Sequence, residues 1–66
     1  MAGYTKEFLI DAFMSRYLAL DDIDRLVRLE EMASSFYDEV GKDTFRVYAS
    51  LDADAIKKYK NEHLHS

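Results

Sequence analysis

The chain has 66 residues, a formal net charge of −4, nine aromatic side chains (five Tyr, four Phe), and neither cysteine nor proline. That length makes residues 1–66 one domain, near the lower limit for a self-sufficient core. The lack of cysteine excludes a disulfide framework and a Cys-based zinc site, and the acid excess is the wrong sign for a protein whose main task is gripping phosphates.

The charge is unevenly spread. Residues 1–51 carry six basic and ten acidic side chains, whereas residues 52–66 carry three of each, with Lys57, Lys58 and Lys60 bunched together. No apolar run is long enough to span a membrane, and the start lacks the basic and long apolar regions of a signal peptide, so the expected location is cytoplasmic. Residues 1–4 and 64–66 are expected to fray.

The first predicted helix runs from Thr5 to about Tyr17 or Leu18. Thr5 is an acceptable N-cap, with Tyr4 and Leu9 placed to form a hydrophobic staple around it. Leu9, Ile10, Phe13, Met14, Tyr17 and Leu20 make a core-facing stripe. Phe8, Ala12, Ser15 and Ala19 make a second face, small except for Phe8, which can receive a further helix or a partner chain.

A short connection, Ala19–Asp21, leads into the stretch DDIDRLVRLEEMASSFYDEVG, from Asp21 to Gly41. Asp21 is the expected N-cap, Asp22 and Asp24 favour the positive end of the helix dipole, and Gly41 suits the left-handed position that ends many helices. Between them Ile23, Leu26, Val27, Leu29, Ala33, Phe36, Tyr37 and Val40 fall in an arc of about 180°, wide enough to pack against two other helices. Asp21/Arg25 and Asp24/Arg28 have the spacing of helix ion pairs. Glu30 interrupts the apolar arc: its stem is expected along the core edge with its carboxylate in water, and the sharper alternative pairs it with a hydroxyl or cation on this chain or a partner.

Residues 44–51, TFRVYASL, read two ways. As a helix capped by Asp43, Phe45, Tyr48 and Ala49 share a face; as a strand, Phe45, Val47 and Ala49 alternate with Arg46 and Tyr48. The helix is preferred, because a lone strand in a helical protein leaves both edges unpaired unless a second chain supplies a partner strand. A last helix is expected from Asp52, stapled by Leu51 and Ile56, with Ala55, Ile56, Tyr59 and His63 inward and an Asp54/Lys58 pair outside. The expected fold is all-α: three to four helices around a long central one.

No motif carries catalytic chemistry. His63 and His65 are two apart and do not make the i,i+4 pair of HExxH; Asp52 and Asp54 lack the turn glycine of a calcium loop; Ser15, Ser34 and Ser35 have no histidine near in sequence. No catalytic residue, metal, cofactor or small-molecule substrate is therefore expected. The remaining expectation is a small acidic, non-enzymatic interaction or regulatory protein that binds another protein, or its own copy as a homodimer, through a helical surface. Candidate contacts are Phe8, Ala12, Ala19, Glu30, Phe45 and Tyr48. The alternative is a nucleic-acid-associated regulator using Arg46, Lys57, Lys58 and Lys60, where basic residues flank an aromatic; a weaker one is a DNA mimic using the acidic clusters at the two ends of the central helix. Size and charge also suit accessory proteins of phages and mobile elements.

DDIDRLV followed downstream by VYASLDADAI resembles, with gaps, the order of segments in the Hha/YmoA group of small acidic helical regulators. Members of that group act by binding a nucleoid-associated partner, so the resemblance implies a regulator that works through a protein contact. It covers short stretches and carries no functional residue across.

Overall fold

The computed structural model describes residues 3–64, with the Leu64 side chain left aside. Its elements are α1 (Lys6–Met14), a 3₁₀ turn (Ser15–Tyr17), α2 (Ile23–Val40), α3 (Lys42–Leu51), α4 (Ala53–Tyr59) and a wide π turn (Lys60–Leu64). Among the described residues there is no strand, so residues 44–51 are helical. α3 starts two residues earlier than expected, since Lys42 and Asp43 already belong to it.

Side-chain oxygens start three of the helices. The Phe8 N–H donates to Thr5 Oγ1 at 3.1 Å, and the Arg25 N–H donates to Asp22 Oδ1 at 3.2 Å. Asp22, rather than Asp21, is thus the N-cap of α2. Asp52 caps α4, taking the Ala53 N–H at 2.6 Å.

α3 has no such cap and begins directly from Gly41. Gly41 ends α2 with its N–H on the Tyr37 carbonyl at 2.8 Å and begins α3 with its own carbonyl accepting the Phe45 N–H at 3.0 Å. Its backbone sits at φ 89°, ψ 171°, an extended region with positive φ that is almost restricted to glycine, not the left-handed helical position expected. One residue serving both helices makes the corner sharp and folds α3 back along α2.

The stapling differs from the expectation as well. Tyr4 stacks on Phe8, centroids 5.0 Å apart and planes 11° from parallel, and so is held at the surface rather than frayed. Leu51 is exposed and staples nothing.

α1 runs against α2, tied at one end by Lys6 Nζ to Asp38 Oδ1 at 2.8 Å. α3 also runs against α2, so α1 and α3 lie side by side and run the same way. Arg46 sits over the Tyr4 ring at their N-terminal ends, and the Tyr17 hydroxyl reaches Asp52 at their C-terminal ends.

The core takes Leu9, Ile10 and Phe13 from α1, Ala33 and Phe36 from α2, Phe45 and Ala49 from α3, and Ile56 from α4. Aromatic edges bind it together: Phe45 meets Phe13, Phe36 and Tyr37, and Phe36 also meets Tyr48 and Tyr59. Each full burial of such a side chain contributes about 1.5–3 kcal/mol, and each aromatic edge about 0.5–1.5 kcal/mol more. The molecule is a slab, 37 × 31 × 17 Å across its principal axes, so the core is one side chain deep. α2 is its middle, but the expected arc is only partly covered: Ile23 is 68% and Val27 47% exposed. No helix among the described residues is long and apolar enough to cross a membrane.

Candidate protein-docking face

The α1/α3 side of the slab exposes Tyr4, Phe8 and Val47, and α2 separately exposes Ile23 and Val27. Phe8 and Ala12 are one turn apart on the outward side of α1. Ala12 and Val47 then line opposite walls of a groove of ≈ 620 Å³ between α1 and α3. Phe8 is 53%, Tyr4 52% and Val47 58% exposed. The groove floor is the core itself, through Leu9, Phe13, Phe45 and Ala49, and its charged residues are Arg16, Asp43 and Arg46. Arg46 leans on Tyr4, its Cζ 5.3 Å from the ring centroid, and Arg16 on Phe13 at 6.0 Å. These contacts lay delocalised cations along apolar rings; Tyr4 stays half exposed, while Phe13 is buried.

The groove's hydroxyls are already committed. Ser50 Oγ donates to the Val47 carbonyl and Ser15 Oγ, on the neighbouring turn, to the Ala12 carbonyl, each at 2.7 Å. Both are local helix bonds that leave no free O–H to activate. His63 lies on the far side of the core, stacked on Tyr59 with centroids 4.2 Å apart, its Nδ1 3.3 Å from the Tyr59 carbonyl.

The sequence candidates divide accordingly. Phe8 and Ala12 belong to this face, and Ala19 is exposed just beyond the 3₁₀ turn. Phe45, at 1% exposure, and Tyr48, wedged between Phe36 and Tyr59, are core residues, so the contact surface near them is supplied by Arg46 and Val47. Glu30 is exposed on a different side, where it lines a groove of ≈ 450 Å³ with Glu7, Asp11 and Glu31. Tyr4, Arg16, Asp43 and Val47 were not singled out from sequence. Val47 had a readable signal, since the helix that turns Phe45, Tyr48 and Ala49 inward turns Val47 outward.

The basic set does not form one surface. Arg46 is committed to Tyr4, while Lys57 lines a third groove, of ≈ 460 Å³, with Arg25 and Arg28 of α2. The expected Asp21/Arg25, Asp24/Arg28 and Asp54/Lys58 pairs are absent: among the described residues the one ion pair is Lys6–Asp38. Lys58 is exposed and Lys60 half-buried at the start of the π turn. His65 lies outside the described residues.

One polar lock borders this third groove. The Tyr17 O–H donates to Asp52 Oδ1 at 2.6 Å and accepts the Ala53 N–H at 3.0 Å, fastening the end of α1 to the α3–α4 corner. Burial, then the bond to Asp52, raises the phenol above its ordinary 10.0. The same bond, then the Ala53 N–H, lowers the Asp52 carboxyl below its ordinary 3.8.

No protein-family model, no curated protein and no solved structure matches this chain.

Proposed function

We propose that this is a small non-enzymatic interaction protein, regulatory in role, whose working surface is the α1/α3 face. The observation behind it is the run Tyr4–Phe8–Ala12–Val47: an apolar band left open over a groove whose floor is the core. Contiguous apolar surface on a small domain marks a protein contact more often than chance exposure, and an apolar centre rimmed by Arg16, Asp43 and Arg46 has the make-up of an interface. The groove hydroxyls bonded to their own helices argue against a nucleophilic role for this surface.

The test is quantitative co-purification of the tagged chain from its native host. Wild type and Lys57→Ala retain a stoichiometric protein partner, a second copy included, and Val47→Asp loses it. Retention by Val47→Asp, or recovery of no stoichiometric partner of either kind, overturns the proposal.

A second reading rests on Arg25, Arg28 and Lys57, three cations gathered at one groove with no carboxylate in ion-pair range among the described residues. They suit a nucleic acid backbone, with Asp52 and Asp54 at the same groove opposing it. Binding to nonspecific DNA that falls steeply with salt and is lost in Arg28→Ala favours this reading; no binding at low salt removes it.

A further inference from the structure

We infer that α4 is a latched flap: it opens about Asp52 as a unit, with α1, α2 and α3 still packed on one another, and the Tyr17 hydroxyl is its latch. The inference is independent of the assignment of the α1/α3 face. Opening bares Phe36 and Tyr48, apolar surface that the closed molecule hides.

The first argument is how the core is shared. α1, α2 and α3 hold one another without α4: Phe45 joins Phe13 to Phe36 and Tyr37, Lys6 ties α1 to α2, and Leu9, Ile10, Ala33 and Ala49 complete that part of the core. α4 adds one fully buried side chain, Ile56, with Ala53 and Tyr59 partly buried beside it. The Tyr59 ring seats against Phe36 and Tyr48, centroids 5.6 and 4.5 Å away. With 7 residues, α4 is too short to persist as a helix once undocked, so its amides exchange when it opens.

The second argument is the joint. Asp52 is the single residue between α3 and α4. Its N–H belongs to α3, donating to the Tyr48 carbonyl at 3.3 Å, and its carbonyl belongs to α4, accepting the Ala55 N–H at 3.1 Å. Rotation at this one residue therefore moves α4 and leaves α3 whole. The joint is closed from outside by the Tyr17 hydroxyl, which holds Asp52 Oδ1 at 2.6 Å and the Ala53 N–H at 3.0 Å. Beyond that latch α4 stands off from the first half of α2. The groove of ≈ 460 Å³ runs between them, with Asp54 and Lys57 on one side and Arg25 and Arg28 on the other, and among the described residues no ion pair crosses it.

Native-state hydrogen exchange, read amide by amide over a series of low urea concentrations, tests this. In wild type the α4 amides of Lys57 to Lys60 are expected to be about tenfold or more less protected than the α2 amides of Ala33 to Phe36, with a smaller but measurable urea slope. Tyr17→Phe removes the latch and should lower α4 protection by about two- to tenfold. Ile10→Val trims the α1–α3 core away from α4; it should lower α2 protection by about two- to tenfold and leave α4 unchanged. α4 amides that match α2 in protection and urea slope, or that fall in step with α2 in Ile10→Val, show that α4 opens only with the whole molecule and overturn the flap. A urea slope of zero in α4 is fraying of its end and overturns it too. Unchanged α4 protection in Tyr17→Phe overturns the latch.

Discussion

Phe45 and Val47 are two residues apart on one short helix and should respond oppositely to substitution. Phe45 is 1% exposed and presents its ring to three others, with centroids 6.1 Å from Phe13, 6.3 Å from Phe36 and 5.4 Å from Tyr37. Phe45→Leu keeps an apolar side chain there but removes all three edges. At about 0.5–1.5 kcal/mol per pair, and allowing for non-additivity in a shared cluster, the loss is about 1.5–3 kcal/mol. A domain of this length has only about 3–10 kcal/mol of stability in total. Val47→Ala alters a side chain that is mostly in water and should stay within about 0.5 kcal/mol. The assay is urea unfolding followed by far-UV circular dichroism, at chain concentrations dilute enough to exclude self-association. With a denaturant slope near 1 kcal/mol per molar, at the low end for so small a domain, the Phe45→Leu midpoint falls by about 1.5–3 M while that of Val47→Ala barely moves. Equal midpoints for the two variants would refute both the core role of Phe45 and the assignment of Val47 to the open face.

Three further substitutions probe the joints of the fold. Asp22→Ala should cost about 1 kcal/mol of unfolding free energy through the lost cap, with Asp21→Ala near neutral; a reversed order would move the start of α2. Gly41→Ala meets no atom within 4 Å of the added Cβ, so its expected cost of about 1–3 kcal/mol is backbone strain at φ 89°, and an unchanged melting temperature would show that the corner has another conformation. Tyr17→Phe deletes the lock to Asp52, with a pH signature. The Asp52 contribution is complete above the ordinary carboxylate pKa and is lost as pH falls through its lowered value. That of Tyr17 is complete below pH 10.0 and is lost as pH rises through its raised value. The Tm deficit of Tyr17→Phe against wild type should therefore be largest between those limits and shrink towards both, and a deficit that ignores pH contradicts the lock.

Helix periodicity carried most of the architecture. The stripe Leu9, Ile10, Phe13 and the pair Ala33, Phe36 are where 3.6-residue spacing puts them, and Thr5 and Asp52 cap as their types suggest. The failures have local causes. Asp21 and Asp22 are chemically equivalent caps in sequence, and only the backbone turn decides between them. Gly41 was readable as a helix stop but not as the start of the next helix, because no side-chain cap marks α3. The apolar arc of α2 overstated its burial: Ile23 and Val27 have the right phase, yet the slab covers only one side of the helix. At the candidate face, Phe8 and Ala12 were visible as an outward stripe. The groove was not, because it depends on α1 and α3 lying side by side, a tertiary fact that sets Ala12 against Val47 and brings Arg16, Asp43 and Arg46 to one groove. The same fact explains why Phe45, the obvious apolar residue of its segment, is core rather than contact.

The most direct test of the α1/α3 face is the amide spectrum of ¹⁵N-labelled chain with and without the partner recovered by co-purification, that partner being unlabelled chain where it is a second copy. The account predicts shifts at Tyr4, Phe8, Ala12 and Val47, with Glu30, Glu31, Arg28 and Lys57 unmoved. Shifts centred on the Arg28/Lys57 groove or on the Glu30 groove would contradict it.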